Sequence, residues 1–251
     1  MPSAHRQGDY PVRFDWGATG AAALTRDCDV AVVVDVLSFT TTLTVALDAG
    51  TVVYPYRWDP GSAAGYAADR EAAVAVGRSH AAAGEISLSP ASMRAAQAPA
   101  RLVLPSPNGS ALCFGLAESG VEVVGASLRN ASAVAGWVRE RGAERVAVIA
   151  AGERWPDRTL RPAAEDLWGA GAVLAALGVV PGRFSPESRS AAEAFAAASA
   201  DLGARLRECA SGRELIDKGF PADVEIAAEF DTSAVVPVLR GEAFVDATVT
   251  P

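Results

Sequence analysis

The chain has 251 residues, half of them apolar, with 22 Lys and Arg against 30 Asp and Glu, for a formal net charge of −8. That length and apolar content suit one large α/β domain, expected over residues 1–251, with enough apolar material for a sizeable core. The lack of any basic block or aromatic–basic stripe argues against nucleic-acid binding, and the lack of a leader-like start or a long apolar run argues against a membrane partner, so a cytoplasmic protein is expected.

In chain order, the first predicted element is an apolar strand over residues 30–36, followed by a helix over 41–48. A strand over 52–54 leads into a loop at 57–66, a helix at 63–76 and a Pro- and Gly-bearing loop at 84–99. Three strand–helix repeats follow: 101–104 with 110–118, 121–124 with 131–141, and 146–149 with 163–177. "GVVPGRFSP" at 178–186 breaks the pattern before helices at 186–208 and 212–218. Weaker strand patterns close the chain at 224–228, 235–239 and 243–247. Apolar strands alternating with helices describe a three-layer α/β/α fold around a mainly parallel, mixed central sheet. Phe and Leu positions on the helix after Pro186 can serve the core or a homo-oligomer interface, and the core is the expected use.

The three cysteines, Cys28, Cys113 and Cys209, are far apart and show no metal-site spacing, so they are expected to be ordinary buried thiols. The two histidines, His5 and His80, also lack ligand spacing. A histidine triad or a histidine-rich metal site is therefore not expected. Catalysis would rest on carboxylates, hydroxyls and backbone groups.

Four strand ends are followed by polar loops: Ser38 with Thr40, Thr41 and Thr42; "PSPNGS" with Asn108, Gly109 and Ser110; "GASLRN" with Asn130; and "AAGERW" with Glu153. In a parallel sheet such loops share the edge where ligands bind, and the helix starts there offer free N–H groups to an anion. Each loop alone is also an ordinary helix cap. Asp35 is the sharper signal, because a carboxylate inside an apolar strand needs a cation or hydrogen-bond donors. Hydroxyls and helix N–H groups could serve it without any ligand. Glu165 and Asp166 fall in the first turns of the helix after Pro162, where the helix dipole also favours them. If Asp35, Glu153, Glu165 and Asp166 converge, hard oxygens without histidine suit Mg²⁺ and a phosphate substrate. The DxDx[TV] motif of haloacid-dehalogenase phosphatases is not met, since the text after Asp35 is Val36-Leu37-Ser38-Phe39, and no nucleotide-binding glycine loop is present.

Five segments in order resemble the 2-phosphosulfolactate phosphatases of coenzyme M biosynthesis: "VVVDVLSFTTTLTVALDAG", "LPSPNGSAL", "GASLRNASAVA", "VAVIAAGERWPDRTLRPAAEDLWGAGAVL" and "SGRELIDKGFPADVEIAAEFDTSAVVPVL". The resemblance implies a Mg²⁺-dependent hydrolase of a small anionic phosphoester, 2-phosphosulfolactate or a related phosphorylated hydroxy acid. It implies that Asp35, Glu165 and Asp166 hold the metal. It implies that Glu153, or Glu85 in "GEISLSP", activates water, with Asp35 a less favoured covalent nucleophile. Ser38, Thr40, Thr41, Thr42, Asn108, Gly109, Ser110 and Asn130 would bind substrate. The sequence departs from the family where Ser38 replaces an arginine and where "GEISLSP" shortens a loop that carries another. Those departures raise a second reading, a family member that binds a small anion without hydrolysis.

Overall fold

The apolar run that starts at Val30 is buried throughout, but its side chains go to two places. Val30, Val32 and Val34 enter one core, and Ala31 and Val33 enter another on the opposite side of the strand. Side chains alternate across a strand, so a run buried on both faces needs helices on both faces. The computed structural model, which describes residues 3–57, 59–82 and 84–249, has that arrangement. Trp58, in the predicted loop 57–66, lies outside the described residues.

The elements are β1 (Val12–Trp16), α1 (Gly17–Leu24), β2 (Val30–Val34), α2 (Phe39–Asp48), β3 (Val52–Tyr56), α3 (Pro60–Ala68), β4 (Ala73–Val74), α4 (Pro90–Ala95), β5 (Arg101–Pro105), α5 (Gly109–Leu116), β6 (Glu122–Ala126), α6 (Ala131–Glu140) and β7 (Val146–Ala150). A two-stranded ribbon of β8 (Glu153–Arg154) and β9 (Leu160–Arg161) follows. The rest is α7 (Ala164–Leu177), α8 (Pro186–Ala198), α9 (Leu202–Glu208), α10 (Ala210–Asp217), α11 (Pro221–Ala227), β10 (Pro237–Arg240) and β11 (Ala243–Asp246). Among the described residues the main sheet has nine strands in the order β1-β7-β2-β6-β10-β11-β3-β5-β4. Pairing is parallel within β1-β7-β2-β6 and within β3-β5-β4. The β10–β11 hairpin joins these halves through three antiparallel pairings.

Several elements differ from expectation. β1 and α1 are absent from the sequence reading because Arg13 and Asp15 interrupt the apolar pattern of 12–16. Arg13 is fully buried all the same, with its guanidinium on Asp27 Oδ1 at 2.6 Å. The expected strand at 224–228 is helix α11, which Pro221 opens with its fixed φ. A window of five residues cannot separate strand from helix by period alone. The expected helix at 63–76 ends at Ala68, and Glu71, at φ 51°, turns the chain back into β4. A 3₁₀ turn at Ser199–Asp201 divides the expected helix at 186–208. Its Phe195, Leu202 and Leu206 all lie in the core.

Three antiparallel steps separate β6 from β3, so the strands of the two halves run in opposite ladder directions. The expectation that every strand-end loop shares one edge of a parallel sheet is therefore corrected. Twist accumulates across so wide a sheet. The start of α5, after β5, meets the end of β2, where Gly109 N–H donates to Asp35 Oδ2 at 2.8 Å.

Candidate active site

Two buried aspartates tie four chain segments together. Asp35 accepts Phe39 N–H on Oδ1 at 3.1 Å and Gly109 N–H on Oδ2 at 2.8 Å, joining the starts of α2 and α5. A Cβ on Gly109 would sit 2.6 Å from Asp35 Oδ2, so glycine is required for this approach. Asp166 accepts Val36 N–H on Oδ1 at 2.7 Å and Gly152 N–H on Oδ2 at 2.8 Å, joining the loops after β2 and β7. α7 brings Asp166 there because Gly169 lets the helix lie on Val34 and Val36; a Cβ at Gly169 would stand 2.5 Å from Val36 Cγ2.

The acids act on one another. Burial pushes the Asp35 carboxyl up, opposed by the Gly109 and Phe39 N–H groups and by the Arg78 charge, while Glu165 adds to the rise. Burial, then the charges of Asp35 and Glu165, hold the Asp166 carboxyl well above its ordinary range. Burial and the Asp35 charge raise Glu153 to about 7, against a hydrogen bond from Asn108. Asn108 Nδ2 donates that bond to Glu153 Oε2 at 2.9 Å. A carboxylate that titrates near neutrality is matched to proton transfer at physiological pH.

Three buried polar atoms in this region have no hydrogen-bond partner among the described residues: Ser38 Oγ, Glu165 Oε2 and Arg78 Nη2. Glu165 is only 2% exposed and Ser38 3%. Leaving such a group unpaired costs about 1–3 kcal/mol each, so each calls for a partner such as a water, an ion or a ligand. Glu153 borders two cavities. One, of about 420 Å³, is also lined by Leu37, Arg78, His80, Ser211 and Lys218. The other, of about 520 Å³, is also lined by Trp16, Thr19, Asn108, Arg158 and Leu160. Either has room for a small ester.

The structure redistributes the expected site residues. Asp35, Glu153, Glu165, Asp166, Asn108, Gly109 and Ser38 come together. Thr40 Oγ1 donates to Asp35 O, Thr41 Oγ1 to Val36 O and Thr42 Oγ1 to Leu88 O, so these hydroxyls secure the start of α2. Ser110 Oγ serves Tyr56 and Leu104. Asn130 Oδ1 accepts Ser127 N–H and its Nδ2 reaches Val235 O at 3.1 Å, which locks the loop after β6. A buried hydroxyl or amide whose donor is already given to a backbone carbonyl has no hydrogen left to offer a phosphate in this arrangement. Glu85 is exposed and its carboxylate accepts Ala82 N–H at 2.8 Å, with no bond to the acid group. Of the two carboxylates expected to serve as base, only Glu153 lies with the acid group.

Sequence reading missed two guanidinium groups. Arg78 lines the cavity and its charge reaches Asp35. Arg161 acts on Glu153 and donates to Ser211 Oγ at 2.9 Å. The available signal was "GRSH" at 77–80, just upstream of Glu85. Of the three thiols expected to be buried, only Cys113 is; Cys28 and Cys209 are partly exposed, and burial raises Cys28 to about 11 and Cys209 to about 12 and pushes Cys113 well up, which disfavours the thiolate in each.

The acid group suits Mg²⁺ in one respect. Of the three expected ligands, Asp35 and Asp166 already receive two N–H donors each, and Glu165 keeps a buried free oxygen. Among the described residues no three His, Cys, Asp or Glu side chains form a metal-binding group. Mg²⁺ commonly takes one or two carboxylates and completes its shell with water and substrate phosphate, so the donors present fit it.

The sequence model of the 2-phosphosulpholactate phosphatase family matches residues 21–242. The probable 2-phosphosulfolactate phosphatase of Thermus thermophilus is 34% identical over 219 residues, covering 85% of this chain and 89% of the relative.

Proposed function

Because the chain belongs to the 2-phosphosulpholactate phosphatase family, we propose that it is a phosphatase that removes phosphate from 2-phosphosulfolactate or a closely related phosphorylated hydroxy acid. The observation that carries this reading is Glu153, raised to about 7 beside the unpartnered oxygens of Glu165 and Ser38. In this mechanism the Glu153 carboxylate takes a proton from the attacking water. Asn108 holds Glu153 in place through Oε2. The Ser38 hydroxyl donates to a phosphate oxygen. Asp35 and Asp166 keep the loops that carry these groups fixed relative to one another through the backbone N–H groups of Phe39, Gly109, Val36 and Gly152.

The cation would be Mg²⁺, held by Glu165. When bound, it would neutralise charge on the phosphate oxygens. Among the described residues no helix is long and apolar enough to cross a membrane, in keeping with a substrate taken from solution. The reading of a non-hydrolysing anion binder arose from missing arginines, and Arg78 and Arg161 supply guanidinium groups at the site.

Phosphate release from a panel of small phosphoesters, with Mg²⁺ and with EDTA, tests the proposal. Mg²⁺-dependent release from 2-phosphosulfolactate or 2-phospholactate is expected. No release from any ester by folded protein with Mg²⁺ present would overturn it.

A further inference from the structure

Arg78 enters the cavity from the segment between β4 and α4, away from the strand ends that carry the acids. Its Nε donates to Asp223 Oδ2 at 2.8 Å. Asp223, on α11, is itself 1% exposed and is held by the Ser89 hydroxyl and by Ala91 N–H at 3.3 Å on Oδ1. The Arg78 side chain is 17% exposed. Its guanidinium is thus fixed at one edge by a buried carboxylate, while Nη2 is buried with no partner among the described residues. A planar fork held in this way is preorganised for a carboxylate or sulfonate, because little rotamer freedom remains to be lost on binding.

The electrostatics require such a group. The protein is acidic, and Asp35, Glu153, Glu165 and Asp166 crowd one side of the site. Lys218, which also lines the cavity, is paired with Glu214. Arg161 donates to Ser211. Arg78 combines a cavity position, an unpartnered nitrogen and a charge that reaches Asp35. Glu153, the proposed base, lines the same cavity as Arg78, so an ester whose phosphate is attacked beside Glu153 can extend toward Arg78.

We infer that Arg78, set by Asp223, forms a subsite for a second anionic group of the substrate, a sulfonate or carboxylate borne on the carbon skeleton beyond the phosphoester. This rests on the phosphatase reading for its substrate and deepens it: the enzyme selects esters that carry a further negative charge. Arg78 is the specificity residue and Asp223 its positioning residue.

The test compares 2-phosphosulfolactate, 2-phospholactate and isopropyl phosphate, which share a secondary carbon but differ in added anions. Arg78→Ala is expected to lower kcat/KM about 10- to 100-fold for 2-phosphosulfolactate, chiefly through KM, and to change isopropyl phosphate less than about threefold. A matching fall with 2-phospholactate would identify the carboxylate as the group read; a fall confined to 2-phosphosulfolactate would identify the sulfonate. Arg78→Lys keeps the charge without the fork and should recover part of the loss, and it serves if Arg78→Ala does not fold. Asp223→Asn should raise KM for the charged esters and spare kcat. An equal loss on all three esters would overturn the inference, because Arg78 would then act on the phosphate or on the fold. If the wild type hydrolyses none of them, the phosphatase reading fails, and calorimetric binding of sulfolactate decides the subsite: loss in Arg78→Ala supports it, and unchanged binding overturns it.

Discussion

Glu153→Gln separates stability from function at a single atom pair. The native site raises the Glu153 carboxyl from 4.5 to about 7. The protonated form is therefore favoured in the folded state, and the stability it contributes is fully present below about pH 4.5 and lost as the pH rises through about 7. A shift of that size corresponds to about 3 kcal/mol. Glutamine cannot ionise, and its carbonyl oxygen can still accept the Asn108 Nδ2 hydrogen bond. The variant should match the wild type near pH 4.5 and exceed it by up to about 3 kcal/mol at about pH 8.5. In a domain of this size each kcal/mol moves Tm by roughly 2–4 °C. Urea unfolding of both proteins at the two pH values reads the effect. Asp35 and Asp166 also titrate abnormally, so only the difference between wild type and variant reports on Glu153. The same substitution should lower kcat about 10²- to 10⁴-fold, the usual contribution of a general base. A stability gain that is the same at both pH values would refute the electrostatic account of this residue. Full turnover by the variant would refute its role as base.

Wild-type kcat/KM should rise as the pH increases through about 7, because the base must be deprotonated. Asn108→Ala should move that limb to higher pH, since its hydrogen bond holds the Glu153 value down, whereas Asp35→Asn should move it lower by removing the charge that raises it; pH–rate profiles of the three proteins check both directions. Gly109→Ala should destabilise the fold by about 1–3 kcal/mol, measured by urea titration, because the new methyl group would press on the Asp35 carboxylate. EDTA should abolish phosphate release and added Mg²⁺ should restore it, as read by a phosphate assay.

Much of the architecture was legible in the chain itself. The doubly buried run at 30–34 required helices on both faces, and the isolated Asp35 called for hydrogen-bond donors, which Phe39 and Gly109 N–H supply. The order of strand and helix around 101–177 follows from local pattern, since period and length distinguish those elements without reference to neighbours. What local pattern could not carry was any contact between distant segments. Arg13 reads as a break in a strand until Asp27, brought beside it, makes its burial tolerable. Thr40, Thr41, Thr42, Ser110 and Asn130 read as ligand groups because a hydroxyl or amide looks the same in sequence whether it faces substrate or a backbone carbonyl. The reversal of the sheet at β10–β11 lies in pairings that no window of sequence contains.

Residue types determined which chemistry was available: chiefly carboxylates, hydroxyls and guanidinium groups, with only two histidines in the chain. Tertiary structure decided which of them remained unpaired. Asp35 and Asp166 are each engaged by two backbone N–H groups, while Glu165, Ser38 and Arg78 keep buried atoms without a partner among the described residues. The physical reason is that burial and internal partners, which set whether a polar side chain is free and at what pH it ionises, come from segments as far apart in sequence as Arg78 and Asp223 or Asn108 and Glu153.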